Sequence, residues 1–186
     1  SLRKSGTLAP VQSGIENWRS ADPAPEHLAL CAWTRRYLAA SAPERTSMES
    51  EGLRLAAERQ AMLLRRVKNE PTLWFRAAVP DAVRNSLPRS IREHLEDRIS
   101  GPGFLNVEVS CGHADGDDHH DCGKTGFHRE IHVLGKSFTA IPLGSTRSWP
   151  SKALDLNGVA LPSPEQPDRP LLVFSPWSAR IVEPAA

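Results

Sequence analysis

Ile99-Ser100-Gly101-Pro102-Gly103-Phe104-Leu105-Asn106-Val107-Glu108-Val109 is the stretch where the chain changes its period. Ahead of it, Ile91, Leu95 and Ile99 recur at i, i+4 and i+8, the spacing of a helix stripe. Behind it, Leu105, Val107 and Val109 alternate, the spacing of a half-buried strand. Ser100-Gly101-Pro102-Gly103 is a stop signal between the two. The expected fold is therefore α+β: a helical N-terminal layer packed on a small antiparallel β-domain of barrel-like or sandwich form. The expected division is an extended lead over residues 1–21, a helical region over 22–100 and a β-domain over 104–184.

Working back from the boundary, Pro88 opens the last helix, which this reading runs to Ile99. Pro80-Asp81-Ala82-Val83 opens a shorter turn, and Glu70-Pro71 opens a helix through Val79. The longest helix is expected from about Ser47 or Ser50 to Asn69. Leu53, Ala56, Ala57, Gln60, Leu63, Leu64 and Val67 form its stripe; Arg54, Glu58, Arg59, Arg65, Arg66 and Lys68 form its wet face. Ser41-Ala42-Pro43 breaks it from the preceding helix, which starts around Asp22-Pro23-Ala24-Pro25-Glu26. Cys31 on that earlier helix reads as a small buried apolar residue, with no base visible beside it. Residues 1–24 are rich in Ser, Gly, Pro and charge, and Ile15 and Trp18 are the points that would pin them to the body. His94 reads as a surface or partly buried residue.

Working forward, Phe127-His128-Arg129-Glu130-Ile131-His132-Val133-Leu134, a Gly135-Lys136 turn and Ser137-Phe138-Thr139-Ala140-Ile141 predict a hairpin. Leu154-Asp155-Leu156-Asn157-Gly158-Val159-Ala160-Leu161 predicts a second one with an Asn-Gly turn. Leu171-Leu172-Val173-Phe174 and Ala179-Arg180-Ile181-Val182 predict short final strands. Five to seven short strands suit a small barrel.

Site chemistry is concentrated in Ser110-Cys111-Gly112-His113-Ala114-Asp115-Gly116-Asp117-Asp118-His119-His120-Asp121-Cys122-Gly123. Cys111, His113, Cys122 and His128 offer two sulfur and two nitrogen ligands, the set zinc favours, at a spacing that matches no standard finger or ribbon. His128, Glu130 and His132 alternate on one strand and share a face. They read either as a His/Glu/His metal site or as the wet face of a strand with Ile131 and Val133 inside. The aspartates lack the order of a calcium loop. No serine sits in a nucleophile elbow. A reactive thiol needs an electropositive setting, and this loop is acidic.

Bulk properties exclude some classes. The formal charge of +1 on 186 residues gives no nucleic-acid footprint. Residues 1–100 carry 16 basic and 12 acidic side chains against 7 and 10 in the remainder, too mild an asymmetry for a polyanionic partner. No apolar run approaches the ~20 residues of a membrane span. The chain begins at Ser1 with neither an initiator Met nor a signal core, so a trimmed or mature fragment is expected. Sixteen prolines suit a rigid, loop-rich extracellular fragment.

The succession Leu64, Pro71, Ala77-Ala78-Val79-Pro80, Val83, Leu87-Pro88, Ile91, His94-Leu95-Glu96, Ile99-Ser100-Gly101 resembles an N-terminal region of large secreted bacterial multidomain proteins, many of which carry an extracellular peptidase further along. The late Leu156-Asn157-Gly158-Val159-Ala160-Leu161 and the closing Ser175-Pro176-Trp177-Ser178-Ala179-Arg180-Ile181-Val182-Glu183-Pro184 fit the same pattern. The resemblance covers roughly residues 50–186, assigns no active-site residue and does not extend to the 111–122 loop. It implies a secreted, extracellular or periplasmic, prodomain-like module whose partner is a downstream domain of the same polyprotein or another protein. Export permits oxidation, so Cys111 and Cys122, at strand ends, are expected to form a disulfide, leaving Cys31 free and buried. Bridged thiols cannot ligate zinc, so the two readings of the loop exclude each other. The leading expectation is a non-catalytic module with no cofactor, assisting folding or masking a peptidase. The alternatives are a metal-dependent hydrolase using His128, Glu130 and His132, with zinc as its metal, and a protein- or glycan-binding module.

Overall fold

Proline and capping signals decide where the helices start. In the computed structural model, which describes residues 8–111, 125–143 and 150–175, α2 (Pro25–Ala39), α3 (Ala42–Arg66) and α4 (Pro71–Ala77) each place Pro in the first turn. Ser41-Ala42-Pro43, expected as a breaker, is the start of α3: the Glu44 carboxylate reaches back to the Ser41 N–H at 2.8 Å and to its hydroxyl at 2.6 Å. These hydrogen bonds hold the Glu44 carboxyl below its ordinary range. The expected extended lead contains a helix, α1 (Leu8–Arg19), pinned as anticipated by the buried Ile15 and Trp18. Two short helices follow, α5 (Asp81–Asn85) and α6 (Arg89–Arg92). No helix among the described residues is long and apolar enough to cross a membrane.

The expected helix through Ile99 ends after one turn, and the period changes earlier than Gly101–Gly103. A strand, β1 (Asp97–Cys111), runs through all three of those residues. The i, i+4, i+8 spacing of Ile91, Leu95 and Ile99 is an accident of two elements meeting, because Ile99 belongs to the barrel interior and the other two to the helical core. Four more strands follow: β2 (Thr125–Val133), β3 (Lys136–Pro142), β4 (Lys152–Leu161) and β5 (Leu171–Phe174). They close into a barrel in the order β1-β2-β3-β5-β4. The expected antiparallel sheet is in fact mixed: β3 and β5 run parallel, and every other pair is antiparallel.

β1 forms the closing seam. Its first half pairs with β4, from Asp97↔Ala160 to Leu105↔Lys152, and its second half with β2, from Gly103↔Val133 to Cys111↔Thr125. The β2–β3 turn is Leu134-Gly135, both at positive φ (51° and 71°), as a two-residue hairpin demands. Asn157-Gly158, expected as a turn, lies inside β4. Gly158 is there because its strand presses on β5, where a Cβ would stand 2.8 Å from Leu172 and 2.9 Å from the Val173 carbonyl.

Alternation then sorts the side chains. Ile99, Leu105, Ile131, Val133, Phe138, Leu154, Leu156, Leu172 and Phe174 fill the barrel. Met62, Leu63, Val67 and Trp74 pack with Leu161 and Val173, so the helices cover the outer face of β4 and β5 and the two halves share a core. A third core lies among the helices, built on Trp18, Leu30, Trp33, Val83 and Ile91. The predicted strand at 179–182 lies outside the described residues.

Candidate functional site

Among the described residues, two places gather functional side chains. One is sealed and the other open. The sealed one is built on Arg59, expected on the wet face of α3 but fully buried there. Its guanidinium donates to both oxygens of the buried Glu96 carboxylate, at 2.8 and 2.7 Å, and to the Ala77 carbonyl at 2.8 Å. The remaining Nε–H donates to His27 Nδ1 at 3.1 Å. The indole of Trp18 lies under the guanidinium, 5.2 Å away, and donates its own N–H to Ala77. A buried guanidinium is tolerable only when its donors are met in this way.

His27 explains what the cluster can do chemically. Its Nε2 lies 2.7 Å from the Trp18 carbonyl, which can only accept, so Nε2 carries the proton and Nδ1 accepts from Arg59. Burial, and then the Arg59 charge, push its pKa down, which keeps the ring neutral. Cys31 Sγ lies 3.6 Å from the same Nε2. The pair looks like a thiol beside its base, a partner that sequence reading did not see. The base is already spent, however: its free lone pair faces Arg59 and its proton faces Trp18. Burial raises the Cys31 thiol to about 12. The cluster joins α1, α2, α3, α4 and the entry to β1, and its chemistry is structural.

The open place is the outer face of β1, β2 and β3. Alternation sends His128, Glu130 and His132 outward while Ile131 and Val133 turn in. Glu130 and His132 come together, with Oε2 and Nε2 3.6 Å apart. The Ser137 hydroxyl lies 2.8 Å from His132 Nδ1, across the β2–β3 pair. Arg169 approaches the other Glu130 oxygen at 4.0 Å. Across β1, Asn106 faces Glu130 and Phe104 faces His132. Asn106 donates to Glu108 at 3.2 Å and accepts from Ser151 at 3.3 Å. His128 stands about 13 Å along the strand from His132, with its side chain parallel rather than convergent. Among the described residues no group of three or more His, Cys, Asp or Glu is placed to hold a metal.

His113 and Cys122 lie outside the described residues, and of Cys111 only the backbone, paired with Thr125, is described. The zinc set and the disulfide both fall there. Cys31 is free and buried, as expected. His94 is half-buried and donates from Nδ1 to Gln60 at 2.7 Å, while Gln60 donates to the Pro162 carbonyl, also at 2.7 Å. That pair ties the helices to the β4–β5 connection. A sequence signal for the burial of Arg59 did exist. Gly52, Leu55, Ala56, Arg59, Gln60 and Leu63 follow the i, i+3, i+4 rule, and Arg59 stands on that stripe. No protein-family model, curated protein or solved structure matches the chain.

Proposed function

We propose that this chain is a non-catalytic module of a larger secreted bacterial protein, acting as a prodomain-like partner that assists the folding of a downstream domain or masks a peptidase there. The observation that carries the reading is the consumption of the buried reactive groups. Arg59, Glu96, His27 and Cys31 form the most enzyme-like constellation of the helical half; Arg59, Glu96 and His27 are committed to holding helices together, and the Cys31 thiol is buried beside His27. The apolar filling of the barrel points the same way, since it turns His128, Glu130 and His132 of β2 to the outer face. Export and the peptidase partner are supported by the resemblance of residues 50–186 to secreted N-terminal regions.

Expression of the full open reading frame with and without residues 1–186 tests this. Without them, the downstream part should give less soluble protein or show unmasked proteolysis. Equal yield and equal activity would sink the reading. The isolated chain should leave casein and simple ester and phosphoester substrates untouched. Turnover abolished by His128→Ala or His132→Ala would replace this reading with a hydrolase.

A further inference from the structure

We propose that the outer face around Phe104 binds a neutral oligosaccharide. The starting point is an aromatic ring where the pleat calls for a polar side chain. Ser100, Pro102, Asn106 and Glu108 share the outward positions of β1, and among them Phe104 is 46% exposed. Its cross-strand neighbours are His132 on β2 and the small, exposed Ala153 on β4, so the ring is flanked but not covered. An apolar plate held open between polar neighbours suits a ligand with one carbon–hydrogen face and a rim of hydroxyls.

The neighbouring polar groups supply that rim. The Glu130 contacts to His132 and Arg169, at 3.6 and 4.0 Å, are longer than hydrogen bonds, so its carboxylate keeps acceptor capacity. Its side chain is only 16% exposed and is therefore held in place. Ser137 and His132 orient one another at 2.8 Å, and a hydroxyl and an imidazole can each donate or accept toward a ligand. Phe104, His132 and Ser137 stand on three successive strands and cover about 10 Å, the length of a disaccharide.

Charge and size choose between ligand classes. Among the described residues, Glu108 and Glu130 lie on this face with Arg169 beside them, a balance that disfavours phosphate and sulfate chains. One exposed ring, with Pro102 and the small Ala153 beside it, falls short of the ~800 Å² that each partner of a stable protein interface buries. The site stands whether or not the chain masks a peptidase, and its test reads binding alone.

The test is a nitrogen–proton NMR titration of the intact chain with tetrasaccharides of glucose, xylose, mannose and N-acetylglucosamine. A sulfated heparin fragment and a single-stranded oligonucleotide serve as the polyanion arms. One neutral tetrasaccharide should give saturable shifts at Phe104, Asn106, Glu130, His132 and Ser137. Phe104→Ala, at an exposed position and with unchanged melting, should weaken binding roughly tenfold. Glu130→Gln, which keeps shape and removes charge, should weaken it by a smaller factor. The proposal is overturned if no neutral sugar moves these amides at millimolar concentration. It is equally overturned if Phe104→Ala binds undiminished, or if only the polyanions bind.

Discussion

The helical half and the barrel bury opposite kinds of side chain. Among the described residues, the buried polar ones, Asp22, His27, Thr34, Arg59, Gln60 and Glu96, all precede β1, whereas the barrel interior is filled by aliphatic and aromatic groups. A closed barrel satisfies its backbone strand by strand, and alternation delivers apolar groups inward, so it needs no polar device to settle its register. Helices have no such ladder between them. Arg59 fixes their mutual positions with directed bonds, and a directional core is intolerant of losing one member.

The largest test of this contrast is Glu96→Ala. It strands Arg59 as an uncompensated buried cation and should cost about 3–5 kcal/mol, a large share of a domain's stability. Urea unfolding followed by tryptophan fluorescence would measure it. The double change Arg59→Met with Glu96→Leu should recover much of that loss; a double change as damaging as the single one would show that geometry, not charge, is what Glu96 supplies. Next comes Gly52→Ala on α3. Its Cβ would overlap the Trp33 ring, and Trp33 is fully buried, so the helices must separate at a cost of about 1–3 kcal/mol. A melting temperature within a degree of the parent would mean that the α2–α3 contact is slack. In the barrel, Ile131→Val should cost only about 0.5–1.5 kcal/mol, with the same loss at pH 5.5 and pH 7.5.

Acid should separate the halves by the smallest margin. The pKa of His27 is lowered in the folded state, so the unfolded chain binds the extra proton first. Its contribution is fully present above the unfolded value near 6.5 and is lost as pH falls below it. Amide protection factors on α2 and α3, corrected for the intrinsic pH dependence of exchange, should therefore fall between pH 7.5 and 5.5, and by more than those on β4 and β5, which carry no histidine. The same acid response in a His27→Gln variant would assign it elsewhere. Cys31, pushed up to about 12, should resist iodoacetamide at pH 8 in native protein and react after denaturation.

Much of this contrast can be read in the residues. Prolines at 25, 43 and 71 mark helix starts, and the alternation around Ile131 and Val133 gives the hairpin and its outward His128, Glu130 and His132. The losses have a common cause in contacts distant along the chain. Arg59 reads as surface because its partner Glu96 is far away in sequence. Asn157-Gly158 reads as a turn because the strand that crowds Gly158 comes later. α1 is hidden by Pro10 and Gly14, yet Gly14 brings the helix within reach of Val83 and Pro80. On the open face, the polar strand was legible, but the meeting of Phe104 with His132 depends on the β1–β2 register.

The position of Glu96, immediately before β1, has a consequence in time. Synthesis proceeds from the N-terminus, and Glu96 completes the bonds of Arg59 before β4, the partner of the first half of β1, has been made. We predict that the helices lock first and present the start of β1 in a fixed direction. Asp97 then waits for Ala160, a distant and slow pairing. Pulse-labelled exchange during refolding should show α3 amides protected before those of β4; the reverse order would refute it. Until β4 and β5 arrive, Met62, Leu63, Val67 and Trp74 lack their partners Leu161 and Val173. The nascent chain is most prone to aggregate in that interval, and it ends when the seam of the barrel shuts.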